Sequence, residues 1–545
     1  MQSGRIMKRR EFLARMGEVA GSLAALGLTG CAAPSGNSRA QPVRPFELDE
    51  LSVAELRQGL ETGRYTSTSL TTAYLRRIGQ IDHTGPGLNS VIELNPDALA
   101  IAGALDDERG GKKVRGPLHG IPVLIKDNID TGDRMTTTAG SLAMLNSRAP
   151  RDSFVAERLR AAGAVILGKT NLSEWANFRG SRSISGWSGR GGQTRNPYCT
   201  ACSPSGSSSG SGVAVSASLC AVAIGTETNG SIVSPSSYCG IVGLKPTVGL
   251  VSRAGIIPIA ASQDTAGPMT RKVADAAALL TVLAAADPRD TATTKWEQRR
   301  AVDYTRFLDA NALRGARVGL VKSQFKMHRR VDPVWDNAVM TLRRSGAEVV
   351  ESVTLPSRQE LSGADYQVML YEFKDGLNAY FASLGASAPI RSMKELIEFN
   401  EKNSDRELRF FGQETLIEAE AKGPLTDTGY TEAKEKCREW SEKLAEIFRD
   451  DRLDAIIAPT TGPAHTLDLV NGDRGLGGSS TYAAVSGFPN ITVPCGDVFG
   501  LPVGLSWFGP AWSESRLLAL AFSFEQATRA RRAPGFRTTM EYSVA

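Results

Sequence analysis

The stretch "DSFVAERLRAAGAVILGKT", residues 152 to 170, reads as a helix, a stop and a strand in that order. Asp152 offers an acceptor to the free amides of a helix N-terminus, and Gly163 ends the helix. The apolar run Ala164 to Leu167 then has the length and composition of a buried strand. The same alternation extends in both directions. Short apolar runs recur at "IPVLI" (121–125), "AVAIG" (221–225), "ARVGLV" (316–321), "DAIIAP" (454–459), "NITVP" (490–494) and "PVGLSWFG" (502–509), separated by helical patterns such as "VADAAALLTVLAAA" (273–286). Strands alternating with helices predict an α/β protein whose mixed central sheet is covered by helices on both faces.

Ahead of this region, residues 46 to 110 are expected to be mostly helical. "SVAE" (Ser52 to Glu55) is a capping box, and Leu70, Ala73, Tyr74, Arg77 and Ile78 recur at helical spacing. Residues from about 290 to 450 are richer in charged helical segments and are expected to form a helical insertion or a flank over the sheet. No internal repeat is visible. The expected organisation is a leader over 1–30, a tether over 31–45 and one large domain over 46–545.

The leader reads as an address. Arg9 and Arg10 in "KRREFL" precede a short apolar run, "VAGSLAALGLTG", too short to anchor in a bilayer and suited to a signal sequence. The arginine pair resembles a twin-arginine export signal, and "LTGC" resembles a lipoprotein processing site with Cys31 as the lipidated residue. The expected location is therefore the periplasm or the cell envelope, with membrane attachment only through that lipid. Residues 1–30 hold five cations against two acids, so they supply +3 of the chain's +5. The +2 left over is no footprint for nucleic acid.

Six cysteines follow Cys31. Cys199 and Cys202 form a C-x-x-C, but no second pair or histidine pair stands at zinc spacing, so no metal is expected. A disulfide between them and isolated thiols both remain open.

Three patterns carry possible chemistry. Residues 163–170, "GAVILGKT", match a P-loop, yet the four central residues are those of a strand and not of a phosphate-cradling turn. Residues 206–210, "GSSSG", match a nucleophile elbow centred on Ser208. The preceding "RNPYCTACSP" is turn-like rather than strand-like, and only His328 and His465 lie downstream to act as a base. The third pattern is in three pieces. "GPLHGIPVLIKDNID" ends a buried run on Lys126, where desolvation favours the neutral amine. "SPSGSSSGSGVAVSA" contains Ser207, and "GTETNGSIVSPSSYCGIVGLKPT" contains Ser231. A neutral lysine can serve as the base that a chain with four histidines otherwise lacks. Taken alone, Lys126 reads rather as a buried cation paired with Asp127 or another carboxylate. His119, beside the same run, reads as a structural hydrogen-bonding residue.

Together these stretches resemble the amidase signature family, serine hydrolases with a Ser-Ser-Lys triad. "GIPVLIKDN", "GSSSGSG" and "GTETNGSI…GLKPT" match its three motifs, and Ser207 and Ser231 are 24 residues apart (231 − 207), the family's separation. "GKTNLSEWA", "SQDTAGPM" and "GFPNITVPCG…GLPVGLSWFG" extend the likeness from about residue 48 to 530. The resemblance implies Ser231 as nucleophile, Ser207 as bridging serine after a cis peptide bond, and Lys126 as base. It also implies an oxyanion hole from the backbone of Thr228, Asn229 and Gly230 with Ser231, and no cofactor.

The chain departs from the family at several positions. Asn229 stands where a glycine is usual, tolerable if it takes a positive φ, and Ser205 and Ser209 also replace glycines. Val233 replaces an arginine, which argues against a carboxylate beside the scissile amide. The Glu227, Asn229 and Val233 pattern looks most like the bacterial peptide amidases, which remove C-terminal amides from peptides. Two alternatives stand within the family: enzymes acting on aryl, aliphatic or cyclic amides, and the amidase-like component of glutamyl-tRNA amidotransferase.

Overall fold

The computed structural model describes residues 43–296, 302–321, 323, 326–351 and 353–540. Residues 1–42, with Cys31, the whole leader and most of the tether, lie outside them. In chain order the strands are β1 (Val91–Leu94), β2 (Pro122–Lys126), β3 (Val165–Thr170), β4 (Trp187–Ser188), β5 (Gly192–Gln193), β6 (Val222–Glu227), β7 (Val242–Lys245), β8 (Thr265–Thr270), β9 (Arg317–Leu320), β10 (Glu348–Val350), β11 (Ala455–Pro459), β12 (Asn490–Val498) and β13 (Leu501–Phe508). β4 and β5 form a small ribbon. The others make one eleven-stranded sheet in the order β1-β3-β2-β6-β8-β7-β12-β13-β11-β9-β10.

The sheet is mixed in a regular way. β3, β2 and β6 run parallel to one another, as do β11, β9 and β10, and the pairs between those two blocks are antiparallel. Every residue of β2, β3, β6, β7, β8, β11 and β13 is buried, so both faces of the sheet are covered. Helices Ser209–Ser216, Val233–Tyr238, Val273–Leu283, Asp332–Arg344 and Glu514–Thr528 pack against its strands.

The stretch 152–170 folds as a helix over Phe154–Ala161 and a strand over Val165–Thr170. Ser153, not Asp152, is the cap, its hydroxyl accepting from the Ala156 amide. Asp152 turns away to the Gly132 amide and Arg160. The strand also runs on past Leu167 through Gly168. A Cβ on Gly168 would stand 2.2 Å from the Glu93 carbonyl of β1, so only glycine lets the two strands approach there. The GKT of the P-loop match is therefore strand, and the Lys169 ammonium is buried, donating to the Ile129 carbonyl (2.6 Å) and the Thr137 hydroxyl (3.0 Å).

The Ser52–Glu55 capping box is present, and residues 53–110 hold three helices and β1. The charged stretch between 290 and 450 supplies helices, including Ala364–Ser383 and Thr428–Asp450, but it also supplies β9 and β10 to the same sheet. No helix of the described residues is long and apolar enough to cross a membrane.

Candidate active site

Three parallel strands, β3, β2 and β6, end together, and the carboxyl ends of parallel strands are where open α/β sheets place their ligands. Lys126 is the last residue of β2, and Thr226 and Glu227 are the last of β6. The Lys126 ammonium is fully buried and lies 2.7 Å from the Ser207 hydroxyl, 2.8 Å from the Thr226 hydroxyl and 3.3 Å from the Thr226 carbonyl. Burial pulls its pKa down to about 7, against the more distant negative charges of Asp264 and Glu227, which hold it up. Asp127 does not pair with it. That carboxylate accepts from Thr138 and faces Arg190 at 3.4 Å.

Ser207 follows a cis bond from Gly206. The adjacent Ser208 amide donates to the Ser231 carbonyl (3.1 Å), which joins the segment of Ser207 to that of Ser231. Ser231 alone of the three reaches the surface, at 8 % exposure against 0 % for Ser207 and Lys126. Ser208 is unavailable as a nucleophile, since its hydroxyl donates to the Thr226 carbonyl (3.0 Å) and accepts from the Thr226 amide (3.1 Å). No histidine approaches it. His465 contacts Tyr238 and Asp473, and His328 accepts from the Arg330 amide. His119 bonds to the Leu105 carbonyl and the Arg115 amide, a structural arrangement.

The Ser231 loop is held from three sides. Glu227 accepts from the Ile232 (2.7 Å) and Val233 (3.0 Å) amides. Thr228 donates to Asp264 (2.5 Å), whose pKa burial pushes up to about 6 although the Thr228 hydroxyl lowers it. Asn229 accepts from the Ser480 hydroxyl (2.7 Å) and donates to Thr481. Among the described residues the amides of Thr228, Asn229, Gly230 and Ser231 donate to no protein acceptor. Asn229 does not take a positive φ. Gly230 does, at +85°, and so does Ser205, at +59°. The asparagine is tolerated because its amide docks on Ser480 and Thr481, and the left-handed turn falls one residue later.

Thr226, Asp264 and Asn128, whose amide donates to Thr226, were not singled out in the sequence although all lie inside the matched motifs. Their signal was position beside Lys126 and Ser231, which only the strand pairing reveals. Beside Thr226 and Thr228 opens a cavity of about 220 Å³, with an apolar wall that includes Ile256, Ile257, Pro258 and Ile259 and a charged one of Arg253, Asp264, Arg289 and Asp290. No group of three or more histidines, cysteines or acids gathers at metal-binding distance among the described residues.

Residues 69–518 match the family model described as Amidase. The chain belongs to the amidase signature family. It is an amidase, a hydrolase that acts on amides. It is 52 % identical to the native peptide amidase of Stenotrophomonas maltophilia, with a TM-score of 0.87 over 91 % of this chain and all of that one. A probable amidase of Arabidopsis thaliana is 42 % identical over 90 % of this chain and 92 % of its own. A component of the glutamyl-tRNA(Gln) amidotransferase of Methylococcus capsulatus is 36 % identical over 88 % of this chain and 97 % of its own.

Proposed function

We propose that this amidase hydrolyses the C-terminal carboxamide of peptides, releasing ammonia, through a Ser231–Ser207–Lys126 triad. The observation that carries the triad is the buried Lys126 amine 2.7 Å from Ser207, with no carboxylate partner at ion-pair distance among the described residues. Neutral Lys126 takes the Ser207 proton as Ser207 takes that of Ser231, and Ser231 attacks the carboxamide carbon. The free amides of Thr228, Asn229, Gly230 and Ser231 face the developing oxyanion, an effect worth about 3–4 kcal/mol per donor. The proton returns through Ser207 to the departing ammonia, and water then hydrolyses the acyl-enzyme.

Two features support a peptidyl substrate. The likeness to the Stenotrophomonas maltophilia peptide amidase covers nine-tenths of the chain. The cavity beside Thr228 combines an apolar wall of Ile256, Ile257, Pro258 and Ile259 with Arg253, Asp264, Arg289 and Asp290, a mixed lining that suits a peptide's side chain and backbone rather than a small aliphatic amide. The test is ammonia release from peptide amides, free amino-acid amides and anilides. Higher kcat/KM on peptide amides supports the reading, and a preference for short aliphatic amides overturns it. We place the enzyme outside the cytoplasm, exported by Arg9-Arg10 and lipidated at Cys31, and there the amidotransferase role would lack its tRNA. Intact mass of the membrane-extracted protein tests this, since processing leaves Cys31 as the modified first residue.

A further inference from the structure

The C-x-x-C plays no part in the triad, yet its geometry is specific. Cys199 and Cys202 are the two ends of a tight turn closed by a 2.8 Å hydrogen bond from the Cys202 amide to the Cys199 carbonyl. The ends of such a turn have Cα atoms less than about 7 Å apart, which overlaps the range a disulfide spans. Both flanks of the turn are pinned. The Thr200 amide donates to the Arg537 carbonyl (2.8 Å), and on the other side the Ser203 amide donates to the His465 carbonyl (2.8 Å). The neighbouring Cys202 thiol, with the Ala201 amide and Arg537, holds Cys199 below the ordinary cysteine range, which favours its thiolate as the attacking group. Both are free and buried.

What covers Cys199 is the C-terminal strap. Residues 529–536 contain no helix or strand, and the strap is joined to the turn by a few bonds: Phe536 N–H to the Pro197 carbonyl, Arg537 to the Tyr198 carbonyl, and the Tyr198 hydroxyl to the Arg532 carbonyl. Arg531 anchors the start of the strap, but past it the segment is a chain end without helix or strand, and such ends open more readily than the core. The other described cysteines have no such cover. Cys220 and Cys239 are in the core under the sheet, and burial pushes the Cys220 and Cys495 thiols up to about 12.

We propose that Cys199 and Cys202 form a reversible dithiol–disulfide pair, a redox modification site on the segment that leads into Ser207. With a small-molecule disulfide as oxidant, the Cys199 thiolate attacks one sulfur of the reagent and expels one thiolate. Cys202 then loses its proton, attacks the Cys199 sulfur of the mixed disulfide and expels the second. The protein loses two hydrogens and the reagent becomes two thiols.

The experiment uses the folded chain freed of reductant and incubated with oxidised glutathione. It is then quenched in acid, denatured and alkylated for peptide mapping. The expected result is loss of alkylation at Cys199 and Cys202 with the peptide lighter by the mass of two hydrogens, while Cys220, Cys239, Cys437 and Cys495 remain alkylated. C202S is expected to trap glutathione on Cys199, and dithiothreitol to restore both thiols in the wild type. Full alkylation of both cysteines after oxidation overturns the proposal. So does a wild-type glutathione adduct that persists at Cys199 beside a free Cys202.

Discussion

Among single residues, the proposed triad turns on one desolvated amine. With Lys126 at about 7 and the neutral form active, kcat/KM is expected to rise with pH through about 7. Lys126→Ala should lower kcat by about 10²–10⁴-fold and remove that limb, as expected when a general base is deleted. Lys126→Arg, permanently charged, should be as inactive. A variant that keeps wild-type activity at neutral pH would exclude Lys126 as the base. The same shift carries a stability term. The folded pKa lies below the ordinary lysine value of 10.5, so the unfolded chain binds more protons between about 7 and 10.5 and this group's penalty shrinks as pH rises across that window. Asn229→Ala tests the loop. Losing the docking on Ser480 and Thr481 is expected to cost about 1 kcal/mol of stability, read as a lower urea midpoint, and to lower kcat more than it raises KM.

Between elements, a buried acid pair fastens the helical layer to the site. Glu407 ends the short helix Ser404–Glu407 and accepts from the Leu142 amide at 2.6 Å. Glu174, beside it, takes the Arg179 guanidinium at 2.6 Å and the Gly189 amide at 2.6 Å. Burial, reinforced by the Glu174 charge, pushes the Glu407 pKa up to about 9. Here the sign is opposite to that for Lys126. Between about 4.5 and 9 the folded protein holds a proton that the unfolded chain has lost, so stability from this group falls as pH rises. Glu407→Gln, which keeps the shape without the charge, is expected to flatten the decline of the urea midpoint between pH 6 and 9. An unchanged slope would assign the decline elsewhere. None of this is legible in the sequence. Glu174 and Glu407 are separated by more than two hundred residues, and a charged helical stretch read alone suggests a solvated surface. The capping box at Ser52, by contrast, is legible because it is a local exchange of hydrogen bonds among four consecutive residues.

Across the molecule as a whole, the two ends of the domain are clasped. Arg531 reaches Glu50 (2.6 Å), the Gly240 carbonyl (2.6 Å) and the Ser216 carbonyl (3.1 Å). Arg531→Met would strand those acceptors in a largely buried setting, at an expected cost of about 3 kcal/mol, measured as a lower urea midpoint with an unchanged slope. A loss below about 0.5 kcal/mol would show the clasp to be ornamental.

The α/β class, the short buried strands, the helix caps and the three segments bearing Lys126, Ser207 and Ser231 are all written locally in the chain. They follow from short-range rules: apolar runs of strand length, glycine stops, and the cost of ending a buried run on a cation. Those rules do not decide the order of the sheet, in which β7 lies beside β12 from the far end of the chain. Nor do they decide that the turn Cys199–Cys202 lies under the C-terminal strap, that Asn229 docks on Ser480 rather than taking a positive φ, or that Thr226 holds the Lys126 amine. Each of those depends on which distant surfaces meet, and that is settled by packing the two parallel blocks and the antiparallel centre into one buried sheet.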